Sequence, residues 1–178
     1  ISPVIAHGIP GDHVLREGEL INIDVSAELD GYFADTGGSM VVATHVPQYE
    51  KMIEATKSAL VKAVQVARAG QPLNLIGKAI QDEAKRNGYG VIFDLTGHGL
   101  GRKLHEDPTN IFNYYKSKDH RILEEGVVLA IEPFLTTGKG HVLEEDDGWS
   151  LRTTDRTMAA QFEHTIIVTK DEPIILTI

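Results

Sequence analysis

The chain of 178 residues contains no cysteine. That absence removes disulfides, thiolate nucleophiles and cysteine-based zinc sites together, leaving histidine and carboxylate as the available metal ligands. Long apolar runs are missing too. Nothing approaches the ~18 residues of a membrane span, and residues 1–20 hold no basic stretch followed by an apolar one, as a signal peptide would. Positive charge is scarce, with 17 Lys and Arg against 26 Asp and Glu for a formal net charge of -9. The basic residues form no stripe, which argues against nucleic acid or a membrane as partner. The expectation is a cytoplasmic protein. Its 42% hydrophobic and 24% charged residues match an ordinary globular protein, and the length suits one domain spanning residues 1–178.

What is present alternates between strand and helix signals. Residues 18–44 read as a β-hairpin, with Ile21, Ile23 and Val25 alternating before a turn at Asp30-Gly31 and extended chain towards Val42. From Pro47 to about Ala69 apolar residues recur at helical spacing, with Gly70 as the stop, and a second amphipathic helix runs from about Leu73 to Asn87. The segments 126–134, 158–170 and 173–178 are rich in β-branched residues and read as strands. The order is not regularly alternating, so the fold class is α+β with an antiparallel-rich sheet.

Four acids stand where a bare carboxylate is awkward. A two-residue turn at Asp30-Gly31 sets Asp35 opposite Ser26 and diagonal to Asp24, so that both carboxylates share one sheet face. They are either solvent-facing strand residues or a pair neutralised by a cation. Glu132 follows the apolar run "VVLAI" and precedes Pro133, and Glu163 sits inside "QFEHTIIV" on the face of Gln161 and Thr165. Each Glu alone fits a structural salt bridge as well as a metal. The stretch "LTGHGLGRKLHEDP" (95–108) then adds two histidines among three glycines, a composition that disfavours a packed helix and fits a backbone that must approach something closely. Four carboxylates and one imidazole together suit a pair of hard divalent cations, and such a pair suits hydrolysis.

At these residues the chain resembles the type I methionine aminopeptidases of the pita-bread (creatinase/aminopeptidase) fold. The resemblance is carried by "HGIP" (7–10), "NIDV…DGYFADTG" (22–37), "TGHGLGRKLHEDP" (96–108), "LAIEP" (129–133) and "DGWSLRTTDRTMAAQFEHT" (147–165), which cover nearly the whole chain. It implies a curved antiparallel sheet covered by helices, and a peptidase removing the initiator methionine from peptides and nascent proteins when the next residue is small. Asp24, Asp35, His98, Glu132 and Glu163 would bind two divalent ions, any of Co, Mn, Fe or Zn, with Asp35 and Glu163 bridging. Glu132 would also handle the proton of the attacking water. His105 would touch the scissile carbonyl, His7 the substrate backbone beyond it, and Trp149 would lie beside the methionine side-chain pocket. A transient ribosome contact is a further implied partner.

The resemblance has two departures. Leu104 stands where many relatives have an aromatic residue, and the family carries a longer N-terminal segment ahead of "HGIP". The fold is therefore expected to be N-terminally truncated, with one helix pair, one half of the sheet without cover, and a longer polypeptide or a second chain to complete it. Too few residues separate His105 from Glu132 for the large helical insertion of type II relatives. Rival readings are an X-Pro aminopeptidase or dipeptidase on the same fold and a non-enzymatic pita-bread binding protein, the latter expected to have lost ligands.

Overall fold

The computed structural model describes residues 4–177. Its centre is an antiparallel sheet built from β2 (Leu20–Leu29), β3 (Tyr32–Val41), β11 (Ala159–Ile167), β7 (Val128–Ile131), β5 (Thr96–Gly99) and β6 (Glu106–Phe112), in that spatial order. β8 (Phe134–Thr136) and β12 (Ile174–Ile175) extend β11, and β4 (Gly90–Val91) pairs with β8. A smaller sheet of β1 (Val4–Ala6), β10 (Leu151–Thr153) and β9 (Val142–Glu144) lies beside it, with β1 against β11. Among the described residues α1 (Pro47–Val66) and α2 (Asn74–Arg86) are the two helices, and none is long and apolar enough to cross a membrane.

The hairpin forms in the expected register, Ser26 opposite Asp35 and Asp24 opposite Gly37. Asp30 (φ 53°) and Gly31 (φ 80°) both take positive φ, the geometry that joins two twisted strands by two residues. Pro47 begins α1, and its buried stripe of Met52, Ile53, Ala55, Thr56, Ala59, Leu60, Ala63 and Val64 follows the helical period. The alanines let α1 approach α2 closely; α1 lies against β11 and β7 and α2 against β4 and β6, and their apolar faces share one core with Leu129, Ile131 and Ile166 of the sheet.

Several boundaries differ from expectation. α1 ends at Val66 rather than Ala69, because residues 67–69 turn away towards the chain that follows β11, where the Ala69 N–H donates to the Thr169 carbonyl. The run 126–134 divides into β7 and β8 at Glu132-Pro133, since proline has no N–H for a ladder. The last predicted strand shortens to Ile174–Ile175, and Ile178 lies outside the described residues. The glycine-rich stretch contributes β5 and the start of β6, where neither helix nor strand was expected.

The sheet is not covered evenly. Phe162, which packs with the helices, pairs with Gly38, and Gly38 pairs with Ile23. Directly paired residues share a face. The helix-side face of the hairpin therefore carries Ile23, Val25, Leu29, Tyr32 and Met40, and these remain 51%, 49%, 76%, 56% and 47% exposed.

Candidate metal centre

Five adjacent strands each deliver one side chain to the same place. Asp24 comes from β2, Asp35 from β3, Glu163 from β11, Glu132 from the end of β7 and His98 from β5. The register explains why they meet. Asp24, Gly37 and Glu163 form one row across three strands. The pairing of His164 with Ile131 sets Glu163 level with Glu132, and His98 pairs with Ala130. His98 Nε2 stands 3.8 Å from Asp35 Oδ2 and 3.8 Å from Glu132 Oε1. Ligand atoms of Asp35, His98 and Glu163, all buried, lie within 4.8 Å of one another.

Glycine makes this convergence possible. A Cβ on Gly97 would stand 2.4 Å from the Ala130 carbonyl oxygen, and one on Gly99 would stand 2.4 Å from that of Asp107. The expected close approach is therefore that of β5 to its neighbouring strands. Over Gly37, between Asp24 and Glu163, the Gln161 amide occupies the place a Cβ would take, at 2.5 Å.

The electrostatics are those of several acids crowded together in a dry interior. Glu163 is 2% exposed, and its pKa is pushed far up by burial first, then by the charges of Glu132, Asp35 and Asp24. Glu132 rises well above the ordinary range through burial, then Asp24 and Asp35. Asp24 lies on the exposed edge strand, yet its carboxylate turns into the cluster and rises to about 6, through loss of water first and Asp35 second. No lysine or arginine contributes to any of these shifts, and Glu163 Oε1 is buried without a hydrogen-bond partner. Buried like charges of this kind persist when a cation is bound among them. Four carboxylates and one imidazole fit hard to borderline divalent ions, and the unpartnered oxygen is the atom such an ion would satisfy.

Surrounding groups aim the five. The His98 Nδ1–H donates to the Gly99 carbonyl at 3.1 Å, which leaves the Nε2 lone pair facing the carboxylates. Burial, the main effect, lowers its pKa and keeps the ring neutral. Ser26 Oγ donates to Asp35 Oδ1 at 2.9 Å. Asn22 Nδ2 donates to Gln161 Oε1 at 2.8 Å, and Gln161 Nε2 to Glu163 Oε2 at 3.0 Å. The fully buried Thr165 hydroxyl accepts the Asp35 N–H at 2.8 Å and donates to the Asp35 carbonyl at 2.7 Å, stitching β3 to β11 beside the cluster. Asn22, Gln161 and Thr165 were not singled out as site residues from sequence. The signal available was a polar stripe, Gln161, Glu163 and Thr165, along one face of an otherwise apolar strand.

The remaining expected residues divide into two groups. The exposed His105 ring lies 4.2 Å from that of His98, at the edge of the cluster. His7, just after β1, and Trp149, just before β10, stack on each other 4.9 Å apart at the end of the small sheet. Trp149 is 58% exposed and so takes no part in the core. His13, His45 and His141 pair with Glu19, Glu50 and Asp94 at the surface, and His164 bonds Thr177.

Such a fold and centre define a metallopeptidase. The profile of metallopeptidase family M24 matches residues 2–170, and the chain belongs to that family. It is 46% identical to methionine aminopeptidase 2 of Bacillus subtilis over 178 residues, spanning 99% of this chain and 72% of that protein. The crystal structure of a methionine aminopeptidase from Thermotoga maritima superposes with a TM-score of 0.94 at 34% identity, covering 99% of this chain and 71% of that one. A prolidase from Pyrococcus furiosus gives 0.78 at 25% identity, covering 99% of this chain and 46% of that one.

Proposed function

We infer that this chain is the catalytic domain of a metal-dependent methionine aminopeptidase, which removes the N-terminal methionine from peptides and proteins when the following residue is small. The observation that carries the reading is the cluster of five donors, one from each of five neighbouring strands, whose acids are balanced by no lysine or arginine among the described residues. The likeness to methionine aminopeptidases, closer than that to prolidase in identity and in TM-score, selects the substrate.

Asp24, Asp35, His98, Glu132 and Glu163 are the residues that would hold two divalent ions, Asp35 and Glu163 lying at the middle of the donor set. When bound, such ions supply an acidified water and positive charge for the developing oxyanion. The chain's own side chains do the rest. Glu132, whose Oε1 stands 3.8 Å from His98 Nε2 at the edge of the donor set, takes a proton from the water and passes it towards the leaving amine. His105 donates a hydrogen bond to the scissile carbonyl oxygen as charge builds there. His7, held by the Trp149 ring, contacts the substrate backbone beyond the scissile bond, and Trp149 borders the methionine side chain. The partners are peptide and nascent-protein N-termini in the cytoplasm, met during a transient ribosome contact.

The test is hydrolysis of Met-Ala-Ser against a Gly-Pro dipeptide by manganese-loaded protein. Cleavage of the first and not the second supports the reading, and the reverse would make the chain an X-Pro peptidase.

A further inference from the structure

Between His98 and His105 the chain leaves the sheet and returns as β6, and this excursion is tied down at several points. The Leu100 N–H donates to the Val128 carbonyl of β7 at 3.2 Å. The Phe33 N–H of β3 donates to the Gly101 carbonyl at 2.8 Å. The Lys103 N–H donates to the Glu106 carboxylate at 2.7 Å. One further tie is a side chain. The Arg102 guanidinium lies 3.8 Å over the centre of the Tyr32 ring, and its Nη2 donates to the Tyr32 hydroxyl at 2.6 Å. Beside it Gly31 leaves the guanidinium its room, since a Cβ there would stand 3.1 Å from Nη1.

Tyr32 opens the strand that carries Asp35 three residues later, so the outer turn of the loop is fastened to a ligand-bearing element. His105, at the end of the loop, lies against the His98 ring, and its imidazole makes no hydrogen bond to any of the described residues. Its position is therefore inherited from the loop backbone. An exposed arginine is fully solvated by water, and stacking gains little at such a site. The stack and the hydroxyl bond together do, however, choose one geometry for a flexible side chain, and with it one path for the loop.

We propose that Arg102, braced on Tyr32, is a positioning residue for His105, holding the loop against the hairpin so that the imidazole faces the substrate carbonyl. The proposal rests on the aminopeptidase reading of His105. In manganese-loaded protein, Arg102→Ala lowers kcat on Met-Ala-Ser about fivefold, the size expected for an exposed cation–π contact with a hydrogen bond. KM and metal content stay as in the parent. Hydrogen exchange at the Phe33 N–H, which bonds the loop, speeds by a similar factor. Tyr32→Ala gives the same loss, the double variant loses no more than either single one, and Tyr32→Phe, which keeps the ring, loses less.

The decisive arm uses a His105→Ala background. There Arg102→Ala leaves kcat unchanged while Phe33 exchange still quickens. A further fall in kcat in that background overturns the proposal, as does an Arg102→Ala protein with parental kcat and exchange. If His105→Ala itself leaves kcat untouched, the reading of His105 fails instead. Phe33 exchange then decides alone whether Arg102 fastens the loop, and unchanged exchange refutes it.

Discussion

Removing the metal should leave a protein that loses stability as pH rises through neutrality, the reverse of a protein held by ordinary surface carboxylates. Glu163 is the clearest source. Burial and three neighbouring acids raise its pKa to about 10, against 4.5 for a glutamate free in water. Between those two values the folded chain keeps a proton that the unfolded chain has released, so stability falls by about 1.4 kcal/mol per pH unit for that one group. Below pH 6.5 the histidines obscure this. His98 and His164 are held neutral by burial while their unfolded counterparts protonate, which gives the opposite slope. Asp24, raised to about 6, has largely ionised by then. From pH 6.5 to 8.0 Glu163 alone therefore costs about 2 kcal/mol, and Glu132, also raised by burial and by Asp24 and Asp35, acts in the same direction. The side chain of Glu163 is 2% exposed, so solvent screening does not reduce the figure. Urea unfolding of chelator-treated protein at the two pH values measures the difference directly. A thermal scan should show a midpoint about 4–8 °C lower at pH 8.0 from Glu163 alone. Adding Mn²⁺ should abolish or reverse the trend, because the ion favours the ionised ligands. Glu163→Gln should flatten the metal-free slope by about 1.4 kcal/mol per pH unit. A metal-free protein equally or more stable at pH 8.0 than at pH 6.5 would refute the claim that these acids face one another without a counter-charge.

Other outcomes follow from single contacts. His98→Ala should lower metal content, whereas His105→Ala should keep metal and lower kcat about 10²–10³-fold; equal loss of metal in both would refute the assignment of His105. Thr165→Val leaves the Asp35 N–H and carbonyl unpaired in a dry interior, so it should destabilise by about 2 kcal/mol and weaken metal binding, read by urea titration and metal analysis. Gly97→Ala presses a methyl against the Ala130 carbonyl, which no rotamer change relieves. A destabilisation of about 3 kcal/mol with reduced metal retention is expected, and a wild-type urea midpoint would show that β5 can shift at little cost.

Much of this arrangement was legible in the residues. The hairpin register followed from one turn dipeptide, because Asp30-Gly31 admits a two-residue loop and period-two alternation then fixes which side chains share a face. That brought Asp24 and Asp35 together before any fold was known. Glu132 and Glu163 were recognisable as acids in apolar strands, but their adjacency depends on β11 lying between β3 and β7, a long-range pairing that no local pattern encodes. β5 escaped notice because three glycines in five residues look like a loop. Gly97 and Gly99 are needed because the Ala130 and Asp107 carbonyls press against them, and that pressure exists only in the assembled sheet. The supports at Asn22, Gln161, Thr165 and Arg102 are ordinary polar residues whose partners lie 139, 2, 130 and 70 positions away. Only the alternation of Gln161, Glu163 and Thr165 gave a local hint of them.

The central claim is that five strand-borne side chains form a two-ion centre that cleaves N-terminal methionine. Chelator-stripped protein titrated with Mn²⁺, with bound metal and Met-Ala-Ser hydrolysis followed in the same samples, tests it most directly. The account predicts no hydrolysis without metal, saturation at two ions per chain, and activity that returns as the ions bind. Undiminished hydrolysis by protein shown to be metal-free would contradict it.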